Sequence, residues 1–156
     1  MDADTRLLIL GSLPGDASLK AGQYYGHPRN AFWRLVGDVL GQDLPALPYE
    51  ARLTALGEAG IGLWDVIAGA ERRGSLDADI RRAETADLKR LIDSLPSLRA
   101  IAFNGATAAR IGRRSLAGVE GPALLDLPSS SPAYAALSPD RKSDAWTVLK
   151  TWIAAD

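Results

Sequence analysis

The sequence predicts an α/β fold built around a parallel sheet, and three features carry that prediction. Four short apolar runs, Arg6–Leu10, Ile61–Ile67, Arg99–Phe103 and Ala123–Leu127, have the length and content of buried strands. Segments with helical apolar spacing lie between and after them. No repeat or linker interrupts the alternation, so the chain reads as one domain over residues 1–156. Strands that alternate with helices require a parallel sheet covered on both faces, joined by right-handed crossovers.

The first strand, Arg6–Leu10, runs into the turn Gly11-Ser12-Leu13-Pro14-Gly15, and the aromatic stretch Tyr24-Tyr25-Gly26-His27-Pro28-Arg29-Asn30-Ala31-Phe32-Trp33 follows. Helices are expected over Phe32–Leu40 and Glu50–Ala59. The second strand carries Leu63-Trp64-Asp65 near its end. Leu88, Leu91, Ile92 and Leu95 share one helical face, with Thr85 as a cap. The third strand ends in Asn104-Gly105, where a short helix over Gly105–Gly112 begins. The fourth precedes Pro128-Ser129-Ser130-Ser131-Pro132. A terminal helix follows, with Ser138 as N-cap, Pro139 in its first position and Trp146, Leu149, Trp152 and Ile153 inward. In such sheets ligands gather at the carboxyl ends of the strands, so all four loops could line one edge.

Composition removes several kinds of chemistry. The chain has no cysteine, which excludes disulfides, thiolate metal sites and cysteine nucleophiles. That usage suits a reducing cytoplasm. Met1 is followed by Asp2 and Asp4 rather than by a basic and then apolar leader, and no apolar run approaches the ~20 residues that span a bilayer. A cytoplasmic monomer away from membranes is expected. The net charge of −1 argues against strong nonspecific affinity for nucleic acid. Local patches such as Arg29 with Arg34, or Arg110 with Arg113 and Arg114, could still hold a few phosphates, and so could backbone N–H groups.

Gly-Ser-Leu-Pro-Gly at 11–15, together with Tyr-Gly-His-Pro-Arg-Asn-x-Phe-Trp at 25–33, resembles the uracil-DNA glycosylase superfamily and, within it, the branch that removes hypoxanthine from deoxyinosine. The late Phe-Asn-Gly and the Pro-Ser-rich final loop extend the resemblance over most of the chain. It implies a three-layer α/β/α sandwich with a central four-stranded parallel sheet. It also implies a monofunctional enzyme that flips a damaged nucleotide out of DNA and hydrolyses its N-glycosidic bond, with neither metal nor organic cofactor. The partner implied is DNA containing a deaminated base. Many relatives carry a catalytic Asp or Asn in the first loop, where this chain has Leu13. That departure favours the hypoxanthine branch, in which Asn30 would take the essential role. It also leaves open a mismatch-type uracil glycosylase, a noncatalytic lesion-binding module or an unrelated small-molecule protein.

Each implied role has a plainer alternative. The Asn30 carboxamide could orient water, because glycosidic cleavage passes through an oxocarbenium-like state that needs orientation more than a strong base. It could equally cap the helix that begins at Phe32. His27 could act on the leaving base or simply hold its loop. Tyr25 sits where relatives stack the flipped base, while Tyr24, Phe32 and Trp33 read as packing aromatics. Asp65 and Asn104 could read a base edge or close strand-end turns. Gly11, Ser12 and Leu13 could present backbone amides to the base, or form an ordinary turn. Ser129, Ser130 and Ser131 offer hydroxyls to phosphate, and Tyr134 could press against the duplex, or the whole segment could be a polar loop.

Overall fold

A computed structural model describes residues 1–12, 23–26, 29–66, 87–132, 134 and 136–153. Its strands are β1 (Leu7–Gly11), β2 (Ile61–Asp65), β3 (Ala100–Asn104) and β4 (Ala123–Leu127). They form one parallel sheet in the order β2-β1-β3-β4. The helices are α1 (Phe32–Leu40), α2 (Tyr49–Glu58), α3 (residues 87–93), α4 (Ala106–Ser115), α5 (Pro139–Trp146) and α6 (Leu149–Ile153).

Alternation along β1 sorts the core into two layers, because successive strand side chains point to opposite faces. Leu7 and Ile9 pack with Phe32, Val36, Leu56, Trp146 and Leu149 of α1, α2, α5 and α6. Leu8 and Leu10 pack with Leu88, Ile101, Phe103, Ala108 and Ile111, beneath α3 and α4. The sandwich therefore has three layers. Each of the five residues of β1 and β3 is buried, as two-sided coverage demands, whereas β4 lies at the edge and exposes Asp126 to pair with Arg113 at 3.0 Å.

Strands β1 and β3 begin and end one residue later than the apolar runs indicate. Gly11 and Asn104 are not apolar, but the ladder carries them, pairing Gly11 with Asp65 and Asn104 with Leu127. The terminal helix is two helices rather than one. At Thr147 the side-chain hydroxyl donates to Asp144 O, and the backbone N–H is shared between the Ser143 and Asp144 carbonyls. That local bonding competes with the helical ladder and stops α5. Ser138 does cap α5, accepting the Arg141 N–H at 3.3 Å with Pro139 in the first turn. Thr85 and the end of the second apolar run lie outside the described residues.

Candidate active site

The chain moves from β1 to β2 on one side and then crosses to β3 on the other, so the strand order reverses between β1 and β3. A crevice opens at the carboxyl ends of strands that diverge in this way. Gly11 ends β1 and Asn104 ends β3, which places two of the anticipated site residues at that crevice.

A buried polar network joins β3, the final loop and the aromatic stretch. Asn104, 8% exposed, donates from Nδ2 to Ser130 Oγ at 2.9 Å and accepts the Ser130 N–H at 2.9 Å. Ser130 in turn donates its hydroxyl proton to Asn30 Oδ1 at 2.8 Å. The same oxygen accepts the Phe32 N–H at 3.0 Å, and the Ala31 N–H bonds Ser130 O at 3.0 Å. Both lone pairs of the Asn30 oxygen are thus occupied, while its Nδ2 bonds no described residue and Asn30 lines the adjoining pocket. The oxygen bonds the first N–H of α1 from one residue before the N-cap, Ala31, which itself has no side-chain cap, and the amide is the half that remains for chemistry.

The network alters two expectations. Ser130 is 1% exposed and its hydroxyl turns inward, so it does not offer that group to phosphate. Asn104 ties the strand to the loop, because leaving either end of a buried carboxamide unbonded costs free energy. Behind them Trp146 Nε1 donates to Pro128 O at 2.9 Å and Lys142 Nζ donates to Ser131 O at 3.1 Å, fixing the final loop to α5. Ser129 Oγ accepts the Ser131 N–H at 3.1 Å.

Tyr25 is positioned by its neighbours rather than by regular structure. Its φ of 53° lies in the left-handed region, uncommon for a side chain of this size. One face stacks on Phe32, with centroids 3.9 Å apart and planes 17° from parallel. Phe32 is fully buried, and Trp33 is anchored nearby by donating Nε1 to Tyr24 O at 3.2 Å. Tyr25 also lines the pocket. Burial, and then the Asp65 charge, raises its hydroxyl above the usual phenol range, while a hydrogen bond with Asn104 works the other way.

Asp65 ends β2 beside that hydroxyl. A Cβ added to Gly11 would lie 2.8 Å from both Asp65 Oδ1 and Tyr25 Oη, so the two oxygens converge over one glycine. Burial pushes the Asp65 carboxyl up to about 6. Ser12 follows, half-buried. Gly11→Ala is expected to force both side chains away and to slow catalysis roughly tenfold with the fold kept, since displacing positioned groups costs rate more than stability. Single-turnover kinetics beside a thermal melt check this, and unchanged kinetics would detach the Gly11–Asp65–Tyr25 cluster from the site.

The pocket has a volume of about 880 Å³ and joins Asn30, Tyr25 and Ser130 to Tyr134, which is 41% exposed. Asp65 and Asn104 are not among the residues that line this pocket. Sequence reasoning missed Lys142 as part of the wall, together with Arg52 and the indole of Trp33. A signal for Lys142 existed: it precedes Trp146 by four residues, on the inward face of α5. The Arg113 patch lies elsewhere, against Asp126 and the Phe103 ring. Leu13 and His27 lie outside the described residues. Among the described residues no helix is long and apolar enough to cross a membrane.

Comparison with known proteins gives this geometry a context. The family model for the uracil DNA glycosylase superfamily matches residues 1–153. A hypoxanthine DNA glycosylase of Methanosarcina acetivorans is 44% identical over 150 residues, covering 96% of this chain and 94% of that protein. One from Methanosarcina barkeri is 48% identical over 105 residues, 67% of this chain, and the match spans 66% of that relative's length. The solution NMR structure of a candidate uracil DNA glycosylase from Methanosarcina acetivorans superposes with a TM-score of 0.78 at 37% identity, covering 99% of this chain and 94% of that one.

Proposed function

The chain belongs to the uracil DNA glycosylase superfamily, and from that premise we propose that it is a monofunctional DNA glycosylase that excises hypoxanthine from deoxyinosine. The near-full-length similarity to a hypoxanthine DNA glycosylase carries the choice of substrate. The geometry supports it with an anchored carboxamide and an aromatic ring that line one pocket, and with an acceptor, Asp65, that converges with the Tyr25 hydroxyl over Gly11.

In this reading the deoxyinosine nucleotide leaves the helix, which costs a few kcal/mol of unstacking. Its base stacks on the Tyr25 ring. The ionised Asp65 accepts the N1–H of hypoxanthine, which adenine cannot supply because its N1 is itself an acceptor. The C1′–N9 bond breaks, its electron pair leaves with the base, and the sugar acquires oxocarbenium character. Water held by the Asn30 amide adds to C1′ and gives its proton to solvent or the departing base. The Gly11 and Ser12 backbone can steady the negative charge that develops on the base. Asn104 and Ser130 hold Asn30 in place.

Oligonucleotides carrying inosine, uracil or xanthine at one position, incubated with the protein and then with hot alkali, test the assignment. Alkali-dependent cleavage at inosine, exceeding that at uracil, is expected. Preferential cleavage at uracil would transfer the activity to the uracil branch, since the uracil N3–H would suit the same Asp65 acceptor. Tight lesion binding with no abasic product would make the chain a binding module.

A further inference from the structure

We propose that Lys142 and Arg34 form a phosphate subsite that grips the DNA backbone beside the extruded nucleotide, a step that rests on the glycosylase reading. Charge is distributed unevenly in this chain. It carries a net charge of −1, yet among the described residues the pocket that holds Asn30 is lined by Arg29, Arg34, Arg52 and Lys142 and by no carboxylate. Arg52 is already engaged, donating to the Leu47 and Pro45 carbonyls and lying over the Trp33 ring.

Lys142 is the unusual member. It is 6% exposed, and its described partners are the Ser131 carbonyl and the Tyr134 ring, 5.3 Å from Nζ. Neither Lys142 nor Arg34 forms an ion pair with a carboxylate among the described residues. Asp38, one turn after Arg34, accepts instead from Ser143. Burial and then the Arg34 charge push the Lys142 ammonium below the usual lysine range. Burying a cation without a counter-charge, next to a second cation, is costly unless an anion completes the site.

The location indicates which anion. The carbonyl that Lys142 holds belongs to Ser131, next to the Ser130 hydroxyl that anchors Asn30. Ser138 and Pro139 bring the N-terminal turn of α5 to the same wall. In the proposed complex, a nucleotide whose C1′ faces Asn30 lays a flanking phosphodiester along the same wall, where its single negative charge pairs with Lys142 and Arg34 together.

Salt-dependent binding to a duplex with a tetrahydrofuran abasic analogue tests this without reference to any base. Lys142→Met combined with Arg34→Gln is expected to lower the slope of log affinity against log salt by about 1, the signature of one lost phosphate contact. Lys142→Arg should keep the slope. Arg34 is exposed on α1, so Arg34→Gln gives a folded variant even if Lys142→Met destabilises the protein. Methylphosphonate placed at each phosphate around the lesion should find one position where the wild type weakens about tenfold and the double variant weakens no further. An unchanged slope, or additive losses at every position, would overturn the subsite. Failure to excise inosine alongside the expected slope change would defeat the substrate assignment alone.

Discussion

Replacing Asn30 with alanine is expected to slow single-turnover excision of hypoxanthine by at least ~100-fold, because orienting the attacking water is worth several kcal/mol in the transition state. The structure sharpens what this experiment must separate. Asn30 Oδ1 accepts hydrogen bonds from Phe32 N–H and Ser130 Oγ, so alanine also removes a support for the start of α1. Losing a hydrogen bond of this kind costs about 1 kcal/mol of stability. A melting curve reads that cost separately, and it leaves the protein folded at assay temperature. Ser130→Ala provides the companion measurement. It removes the hydroxyl that holds the Asn30 oxygen but leaves the amide in place, and a smaller loss, about tenfold, is expected. If the folded Asn30→Ala protein turns over at a near-normal rate, Asn30 only supports α1 and the catalytic group lies elsewhere.

Asp65 should give the second large effect, and pH exposes it. Burial raises its carboxyl to about 6, so the ionised form that the proposed contact with the hypoxanthine N1–H requires is lost as pH falls below that value. Inosine excision is expected to decline through this range, while affinity for an abasic product stays level. Asp65→Ala should remove the decline and slow inosine excision about 5- to 150-fold, the equivalent of ~1–3 kcal/mol for one buried hydrogen bond. Stability should move in the opposite direction. The folded carboxyl lies above its ordinary value of 3.8, so the stability linked to this group is fully present below 3.8 and is lost as pH rises through 6. The wild type should thus lose stability relative to Asp65→Asn between pH 4 and pH 8. A pH–rate profile for inosine that is the same in wild type and Asp65→Ala would assign Asp65 to the strand end.

Much of the architecture was legible because it depends on local periodicity. Apolar runs of strand length, helical spacing and the Ser138-Pro139 start determined the sheet, its helical cover and the beginning of α5. The motif from Tyr25 to Trp33 was enough to indicate the family that the comparisons then showed. Residues that bind through tertiary neighbours were not legible in that way. Neither sequence spacing nor motif shows that Asn30 and Ser130, 100 positions apart, share a hydrogen bond, or that Asn104 closes the network from β3. Lys142 sits on an inward helix face where a sequence pattern suggests an apolar residue, and only packing reveals that the inward side there is a pocket rather than core. The sequence by itself determined the strands, the helices and the loops available for chemistry, because backbone periodicity is encoded over a few neighbouring residues. The tertiary structure alone decided which half of the Asn30 carboxamide bonds no described residue, which serine turns inward and where positive charge meets no carboxylate among the described residues, because those depend on hydrogen bonds and desolvation set by residues distant in the chain.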